Sequence, residues 1–184
     1  NYFKCTYMLK TTNNSILKNR IAPICFAGVL LFTSCKKDKA ADGIDKELFD
    51  LAKVTTGFVW YNNSDTLLEK SAGSSHAEPF LKTRYNALAA TQLDSMGKVK
   101  SDAVFPDGSV VVKELFDNAT TIGRYAVLYK KAASESADAN GWVWGYIKSD
   151  GTVTESATKK GSSCINCHSQ SNNIDYMLMN KYFP

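Results

Sequence analysis

The sequence predicts an α+β domain, with an antiparallel β-sheet and a few helices ahead of a cysteine pair close to the C-terminus. Two observations carry this prediction. Short β-branched and aromatic segments alternate through the middle of the chain. Turn residues separate these segments, and two stretches show helical spacing instead. With 184 residues, 44% of them hydrophobic and 22% charged, the chain has the size and composition of one globular domain.

The predicted strands are recognised by side chains that alternate between two faces. The clearest of them, at 110–116, is rich in valine and follows a Pro-Asp-Gly turn. Another places Trp142, Trp144 and Tyr146 on one face. The predicted strands are 58–61, 110–116, 124–130 and 142–147.

Helices are predicted where apolar residues recur every three or four positions. The first covers 45–54, and the second covers 86–96 and ends at Gly97. The segment around the cysteine pair and the following 173–179 are also predicted to be helical.

Residues 1–34 have the features of an export leader. They contain four basic and no acidic residues, whereas the rest of the chain balances 18 basic against 18 acidic side chains. The net charge of +4 therefore lies in the leader, and it does not indicate a nucleic-acid partner. An apolar run at 21–32 is too short to span a bilayer but suits a signal-peptide core.

The leader ends in Phe-Thr-Ser before Cys35, which resembles the lipobox of bacterial lipoproteins. We therefore predict that Cys35 is acylated, that 35–45 is a polar tether, and that the domain occupies 46–184. The domain is predicted to be held by this lipid anchor at the periplasmic or outer face of a bacterial membrane. A plain secretory signal is the alternative interpretation.

The cysteine pair has the pattern of a c-type haem attachment site. Cys164 and Cys167 are followed at once by His168. Two thiols three residues apart can reach both vinyl groups at one edge of a haem, and the histidine can serve as the proximal iron ligand. The sequence therefore predicts one haem c, bound covalently near the C-terminus.

Two other uses of the cysteine pair stay open. A zinc site needs further ligands, and His76 is the only other histidine in the chain. A thioredoxin-like site belongs near the N-terminus of a βαβ unit, which this position does not match.

Several motifs together resemble the cytochrome P-460 family, whose relatives include the β-sheet cytochromes c′ of the c′-beta type. They are FPDGSVVVKEL at 105–115, the Trp/Tyr-rich strand, KGSSCINCH at 160–168, and the Asp175-Tyr176 pair. The resemblance covers about 55–184. It implies a sheet-dominated fold, usually a homodimer, with a five-coordinate haem.

The resemblance also implies a role for Lys113. In the namesake of the family a lysine is cross-linked to the haem, and the matching motif places that lysine at Lys113, as a cofactor-binding and catalytic residue. By pattern alone, Lys113 shares a strand face with Val111 and Leu115. A lysine there can also extend to solvent at an edge strand.

Charged residues near these motifs receive simpler interpretations. Glu114 is predicted to point away from Lys113 and to be solvated or ion-paired. Lys82 or Arg84 matches a basic pocket residue of the family, but a solvated strand-end charge is the preferred interpretation. His76 lies in a polar loop and is predicted to be a surface residue.

Aromatic residues offer a wall for a cofactor. The stripe of Trp142, Trp144 and Tyr146 is predicted to belong to the core and to the haem pocket together. Phe105 and Phe116 are candidate caps over the distal side of the haem.

Three functions remain open for a haem domain of this kind. The first is an oxidoreductase for hydroxylamine or a related small nitrogen species, with an external electron acceptor. The second is a c′-beta-like protein that binds nitric oxide or another gas without turnover. The third is an electron carrier with Met177 or Met179 as the sixth iron ligand.

Overall fold

A computed structural model describes residues 39–184 of the chain. The predicted leader at 1–34 and the acylation site Cys35 lie outside the described residues, so these remain predictions. The described end of the predicted tether is part of the fold: Lys39–Ala40 pairs in the sheet, and a helix begins at Gly43. No helix within 39–184 is long and apolar enough to cross a membrane.

The described chain folds into one antiparallel sheet with short helices around it. The strands are β1 (Lys39–Ala40), β2 (Val59–Trp60), β3 (Leu68–Glu69), β4 (Phe80–Tyr85), β5 (Val110–Phe116), β6 (Ile122–Lys130), β7 (Trp142–Lys148) and β8 (Thr152–Glu155). The helices are α1 (Gly43–Lys53), α2 (Ala87–Ala90), α3 (Ile165–His168) and α4 (Met179–Tyr182). Two 3-10 turns occupy Tyr61–Asn63 and Ala157–Lys159.

The strands follow the order β1-β8-β7-β6-β5-β4-β2, and β3 also pairs with β4. Every pairing is antiparallel, which confirms the predicted α+β class. From β4 to β8 each strand pairs with the next along the chain, so the centre of the sheet is a meander. The register aligns Thr83, Lys113, Ala126 and Tyr146 in one row across β4 to β7.

The two faces of the sheet cover separate cores. One face packs under α1, where Leu48 and Ala52 meet valines of β5, β6 and β7. The other face carries the larger core, which includes Tyr85, Trp142 and Trp144 and is covered by the C-terminal segment. We call these the α1 face and the C-terminal face.

The predicted strands at 110–116, 124–130 and 142–147 are confirmed, as is the first helix. The predicted strand at 58–61 is reduced to Val59–Trp60.

The predicted helix at 86–96 is wrong beyond its first turn, since α2 ends at Ala90. Leu93 instead forms a β-bridge with Val99. The Asp94 side chain accepts hydrogen bonds from the backbone N–H groups of Met96 and Lys98, each at 2.9 Å, and so closes a turn.

The predicted helix at 173–179 is also wrong. Ile174 and Met177 close a tight turn through a bridge, and the two residues between them have positive φ angles of 44° and 70°. These angles are incompatible with a right-handed helix. Helix α4 begins only at Met179.

Candidate haem-binding site

The cysteine segment lies directly against the C-terminal face of the sheet. Gly161 has a φ of +69°, and a Cβ atom there would lie 2.6 Å from Cδ1 of Trp144. The Gly161 carbonyl accepts hydrogen bonds from the backbone N–H groups of Cys164 (2.8 Å) and Ile165 (2.9 Å), which starts α3. Cys164 and Cys167 are both free, partly buried thiols. Because of its positive φ angle and its closeness to the Trp144 ring, position 161 requires a glycine.

His168 is held in one orientation by two contacts. Its Nδ1 lies 2.8 Å from the carbonyl oxygen of Tyr176, and its ring meets Trp144 edge-on at a centroid distance of 5.1 Å. Because a carbonyl oxygen can only accept, Nδ1 carries the proton and Nε2 keeps its lone pair. Burial lowers the pKa of His168 to about 4, so the ring is neutral at neutral pH. This is the form in which histidine binds a metal.

The Asp175-Tyr176 pair holds the turn that orients His168. The Asp175 carboxylate accepts hydrogen bonds from Trp142 Nε1 at 2.9 Å and from the backbone N–H of Phe105 at 3.0 Å. Lys130 Nζ lies 3.4 Å from the same carboxylate. The pair therefore fastens the turn to the sheet and presents the Tyr176 carbonyl to His168.

A cavity lies between the cysteine segment and the sheet. It adjoins a more polar cleft that contains Cys167, Ser74, Ser75 and Glu155. Most of the cavity wall is apolar. Its lining residues are His76, Thr83, Val111, Lys113, Ala126, Val127, Leu128, Trp144, Gly145, Tyr146, Cys164, His168, Met177, Leu178 and Met179.

Lys113 reaches this cavity from the middle of β5. The predicted strand face is correct, because Val111 lines the same cavity and Leu115 belongs to the same core. Burial lowers the pKa of Lys113 to about 8. Its Nζ lies 3.5 Å from Nε2 of His76. Within 39–184 no carboxylate forms an ion pair with Lys113.

His76 lines the cavity, so the prediction of a surface histidine is wrong. Its Nδ1 is hydrogen-bonded to the Tyr146 hydroxyl, and the two rings stack with centroids 5.7 Å apart. Burial, reinforced by the nearby Lys113 charge, lowers the pKa of His76 to about 2. The polar residues around His76 are typical of a surface loop, and no local pattern shows that this loop folds back over the sheet.

Arg84 and Glu114 lie on the α1 face, away from the cavity. Arg84 is completely buried and forms an ion pair with Glu114. It also donates hydrogen bonds to the carbonyl groups of Ala52 and Val54 at the end of α1. The predicted solvated charge at Arg84 is therefore wrong, whereas the predicted ion pair of Glu114 is confirmed.

The other candidates on this face also lie away from the cavity. Lys82 Nζ lies over the rings of Trp60 and Phe116, 5.8 and 5.7 Å from their centroids. Lys82 and Phe116 are absent from the cavity lining.

The aromatic stripe of β7 belongs to the core, as predicted, and also reaches the cavity. Trp142 is fully buried in the core, and Trp144 and Tyr146 line the cavity. Phe105 is packed between Tyr85 and Trp142 and does not line the cavity, so neither predicted phenylalanine cap is correct.

These residues fit a haem group. Two free thiols precede a neutral histidine whose Nε2 is unused, and the adjoining cavity is mainly apolar, as a porphyrin ring requires. Within 39–184, no three His, Cys, Asp or Glu side chains are grouped so as to hold a metal ion. The zinc alternative therefore finds no ready set of ligands in the described residues.

Comparison with known proteins identifies the family. The sequence model of the cytochrome P460 family matches residues 74–179, more than half of the chain. The match includes Lys113, both cysteines of the pair and His168. No curated protein matches the chain. Membership of this family implies a haem cofactor with its iron, and it indicates that a small molecule binds to the protein. The chain belongs to the cytochrome P460 family.

Proposed function

We propose that the protein is a c-type cytochrome that oxidises hydroxylamine or a related small nitrogen species. One haem is bound by thioether links to Cys164 and Cys167, with His168 as the proximal iron ligand. The observation that carries the proposal is the hydrogen bond from His168 Nδ1 to the Tyr176 carbonyl, 2.8 Å long, beside two free thiols. It supports a ring whose Nε2 is free to bind iron.

Bound haem supplies a redox-active iron that takes a small ligand and accepts electrons one at a time. The chain's own residues position this group. The Tyr176 carbonyl fixes the tautomer of His168, and Trp144 packs against the edge of its ring. Val111, Ala126 and Leu128 supply apolar side chains to the wall against which the ring would pack.

The proposed reaction balances with an external electron acceptor. Oxidation of hydroxylamine by two electrons follows NH2OH → HNO + 2 H⁺ + 2 e⁻. The electrons leave to a one-electron acceptor, a redox protein in the cell or a dye in the laboratory. The adjoining cleft, with Ser74, Ser75 and Thr154 in its wall, offers the protons a polar route to water.

Lys113 is proposed as the residue that tunes the haem. Its partly buried side chain lies in the cavity wall, and the match to the family motif supports its placement at the haem edge. A charge or a covalent attachment at that edge changes the electronics of the macrocycle.

Gas binding without turnover is the second candidate function. The mainly apolar wall favours it, since an apolar ligand such as nitric oxide needs no hydrogen bonds. Met177 and Met179 also line the cavity, so an electron carrier with a methionine ligand is a third possibility. Met179 already accepts a hydrogen bond from Thr83, 3.3 Å from oxygen to sulfur.

One preparation tests the proposal. The protein is expressed with haem-maturation machinery, and its mass and optical spectra are recorded. We expect one covalent haem, a high-spin reduced form, and sustained turnover of hydroxylamine with an artificial acceptor. Haem binding without turnover would favour the gas-binding candidate, and a low-spin reduced form would favour the electron carrier.

A matched pair of variants tests Lys113. Lys113→Met is expected to change the optical spectrum of the haem protein and to remove any lysine adduct from the mass of the haem peptide. Lys82→Met changes the same residue type on the α1 face and is expected to leave both unchanged. An unaltered spectrum and mass in Lys113→Met would exclude its contact with the haem.

We also propose that the protein is exported, lipid-anchored through Cys35 at the periplasmic or outer face of a bacterial membrane, and homodimeric. The leader composition and the lipobox-like end of the leader support the anchor. Labelled fatty acid should be incorporated into the wild type and not into Cys35→Ser. Sedimentation of the domain without its leader tests the dimer.

A further inference from the structure

One corner of the cavity is polar, and it is built from a histidine and a tyrosine. We infer that His76 and Tyr146 form the wall that hydrogen-bonds a polar N–O ligand such as hydroxylamine, in a cavity whose lining residues include no carboxylate. The inference rests on the proposed function and deepens it, because it assigns the selection of a polar ligand to these two residues.

The position of the two side chains supports this assignment. Both line the cavity together with His168 and Lys113, and both also border the adjoining cleft. They come from distant parts of the chain, a loop before β4 and the middle of β7. Tyr146 lies in the same row of the sheet as Lys113. Among the residues that line the cavity there is no aspartate or glutamate.

The hydrogen-bonding capacity of the pair suits a ligand that both donates and accepts. A neutral imidazole has one donor and one acceptor nitrogen, and a tyrosine hydroxyl can act in either way. Nδ1 of His76 is used by Tyr146. Nε2 faces Lys113 at 3.5 Å, at the limit of a hydrogen bond, so it remains available to a ligand with a shorter contact.

His76 is held in place by its loop. The His76 carbonyl accepts a hydrogen bond from Lys70 Nζ at 3.1 Å, and the Ser75 hydroxyl lies 3.4 Å from Cys167 Sγ. The Gly73 carbonyl accepts a hydrogen bond from the Tyr182 hydroxyl at 3.2 Å. The loop is therefore tied to the segment that carries the haem-binding cysteines, and attachment of haem there would fix His76 as well.

Tyr146 is fixed from behind by charged residues. The guanidinium of Arg124 lies 5.5 Å from the centroid of the Tyr146 ring, and Arg124 forms an ion pair with the buried Glu78. Burial raises the pKa of Tyr146, with a further contribution from Glu78, so its hydroxyl keeps its proton. It can therefore donate to His76 or to a ligand.

The test compares a polar with an apolar ligand in haem-loaded protein. Hydroxylamine binding is followed by rapid mixing with the oxidised protein, before turnover, and carbon monoxide binding is measured with the reduced protein. In His76→Leu we expect the dissociation constant for hydroxylamine to rise about tenfold, the loss of roughly one hydrogen bond. The affinity for carbon monoxide should change by less than about twofold, because no hydrogen bond is needed.

Further variants separate ligand binding from structural damage. Tyr146→Phe should weaken hydroxylamine binding by a smaller factor, and the double variant should be no weaker than His76→Leu, because Tyr146 acts largely through His76. His76→Gln, which restores a donor and an acceptor, should recover most of the affinity. Tyr129→Phe removes a tyrosine hydroxyl from the α1 face of β6 and should change nothing.

An infrared measurement gives a signal that does not depend on affinity. The C–O stretch of bound carbon monoxide should move to higher frequency in His76→Leu, where a polar group near the ligand is lost, and should stay unchanged in Tyr129→Phe. If His76→Leu lowered the affinities for hydroxylamine and carbon monoxide equally, or left the affinity for hydroxylamine unchanged, the inference would be wrong and the proposed function would still stand. Absence of covalent haem in the wild type would overturn the proposed function and the inference with it.

Discussion

Each face of the sheet carries a cation, fully buried Arg84 on one and partly buried Lys113 on the other, and the surroundings of the two differ. Arg84, on the α1 face, is fully buried, yet it has the Glu114 carboxylate and two backbone carbonyls as partners. Lys113, on the C-terminal face, has the imidazole of His76 at 3.5 Å as its one hydrogen-bonding partner within 39–184. Lys113 and Glu114 are neighbours in sequence, so alternation along one strand separates the two environments.

This difference indicates that the charge of Arg84 has a structural role, whereas the charge of Lys113 belongs to the candidate haem-binding site. A buried cation with a carboxylate and carbonyl partners fixes the end of α1 against β4 and is a structural element. A cation that is partly buried without a counter-charge costs free energy in the folded protein, as the lowered pKa of Lys113 reflects. Groups of this kind occur mainly at functional sites, and the cavity at Lys113 agrees with that rule.

The largest expected effect tests the α1 face. Arg84→Ala leaves Glu114 buried without a partner, and we expect the free energy of unfolding to fall by about 3–5 kcal/mol. Urea unfolding measures this loss. The double variant Arg84→Met/Glu114→Leu should recover much of it, because no charge then remains buried. A loss below about 1 kcal/mol in Arg84→Ala, as for an exposed pair, would contradict the structural role.

The next effect has the opposite sign and tests the C-terminal face. Lys113→Met in the haem-free polypeptide removes a buried charge that lacks a counter-charge. We expect the free energy of unfolding at pH 7 to rise by about 3 kcal/mol, the equivalent of the pKa difference between the folded and unfolded states. Lys82→Met, on the α1 face, is the matched control and should change it by less than about 1 kcal/mol. Destabilisation by Lys113→Met would mean that Lys113 has a partner.

The same variant predicts a dependence on pH. The pKa of Lys113 is about 8 in the folded state and 10.5 ordinarily, so the folded state binds fewer protons between these values. Stability of the wild type should therefore rise with pH across this window relative to Lys113→Met, and the difference between them should be constant below about pH 8 and vanish above about pH 10.5. Urea unfolding of both proteins from pH 6 to about pH 11 measures it; parallel pH curves would contradict the buried charge.

A pair of glycines gives a smaller contrast between the faces. A Cβ atom on Gly161 would meet the rigid Trp144 ring at 2.6 Å, with φ at +69°. A Cβ atom on Gly145 would meet only the end of the flexible Leu48 side chain at 2.6 Å. We expect Gly161→Ala to cost about 2 kcal/mol through strain and overpacking, and Gly145→Ala to cost about 1 kcal/mol or less. Equal losses in thermal or urea unfolding would contradict this contrast.

The smallest effect concerns the turn that orients His168. Asp175→Asn keeps one acceptor oxygen but removes the charge near Lys130 and weakens the bonds from Trp142 and Phe105. We expect a loss of about 1 kcal/mol in urea unfolding. Asp150→Asn, in an exposed turn, is the matched control and should lose less stability than Asp175→Asn. A larger loss in the control would show that the turn at Asp175 has no special role.

Much of the sheet could be predicted from local patterns. β5, β6 and β7 lie where alternation placed them, and the face of Lys113 was correct, because a strand displays its pattern over six or more consecutive residues. Four strands were missed: β1 and β3, which have only two residues each, and the longer β4 and β8. The predicted helices failed at 86–96 and 173–179, where side chains of Asp94 and Asn173 bond backbone N–H groups and make turns.

The sequence by itself determined the cysteine pair with its histidine, the strand that carries Lys113 and the family resemblance, because each is written in adjacent or alternating residues. Only the tertiary structure decided that His76 faces the cavity, that Arg84 is buried with Glu114, and that the Tyr176 carbonyl orients His168. The physical reason is that these contacts, apart from the last, join residues 30 or more positions apart. The last depends on a turn that Asp175 fastens to the sheet through Trp142, and local periodicity cannot encode such a long-range bond.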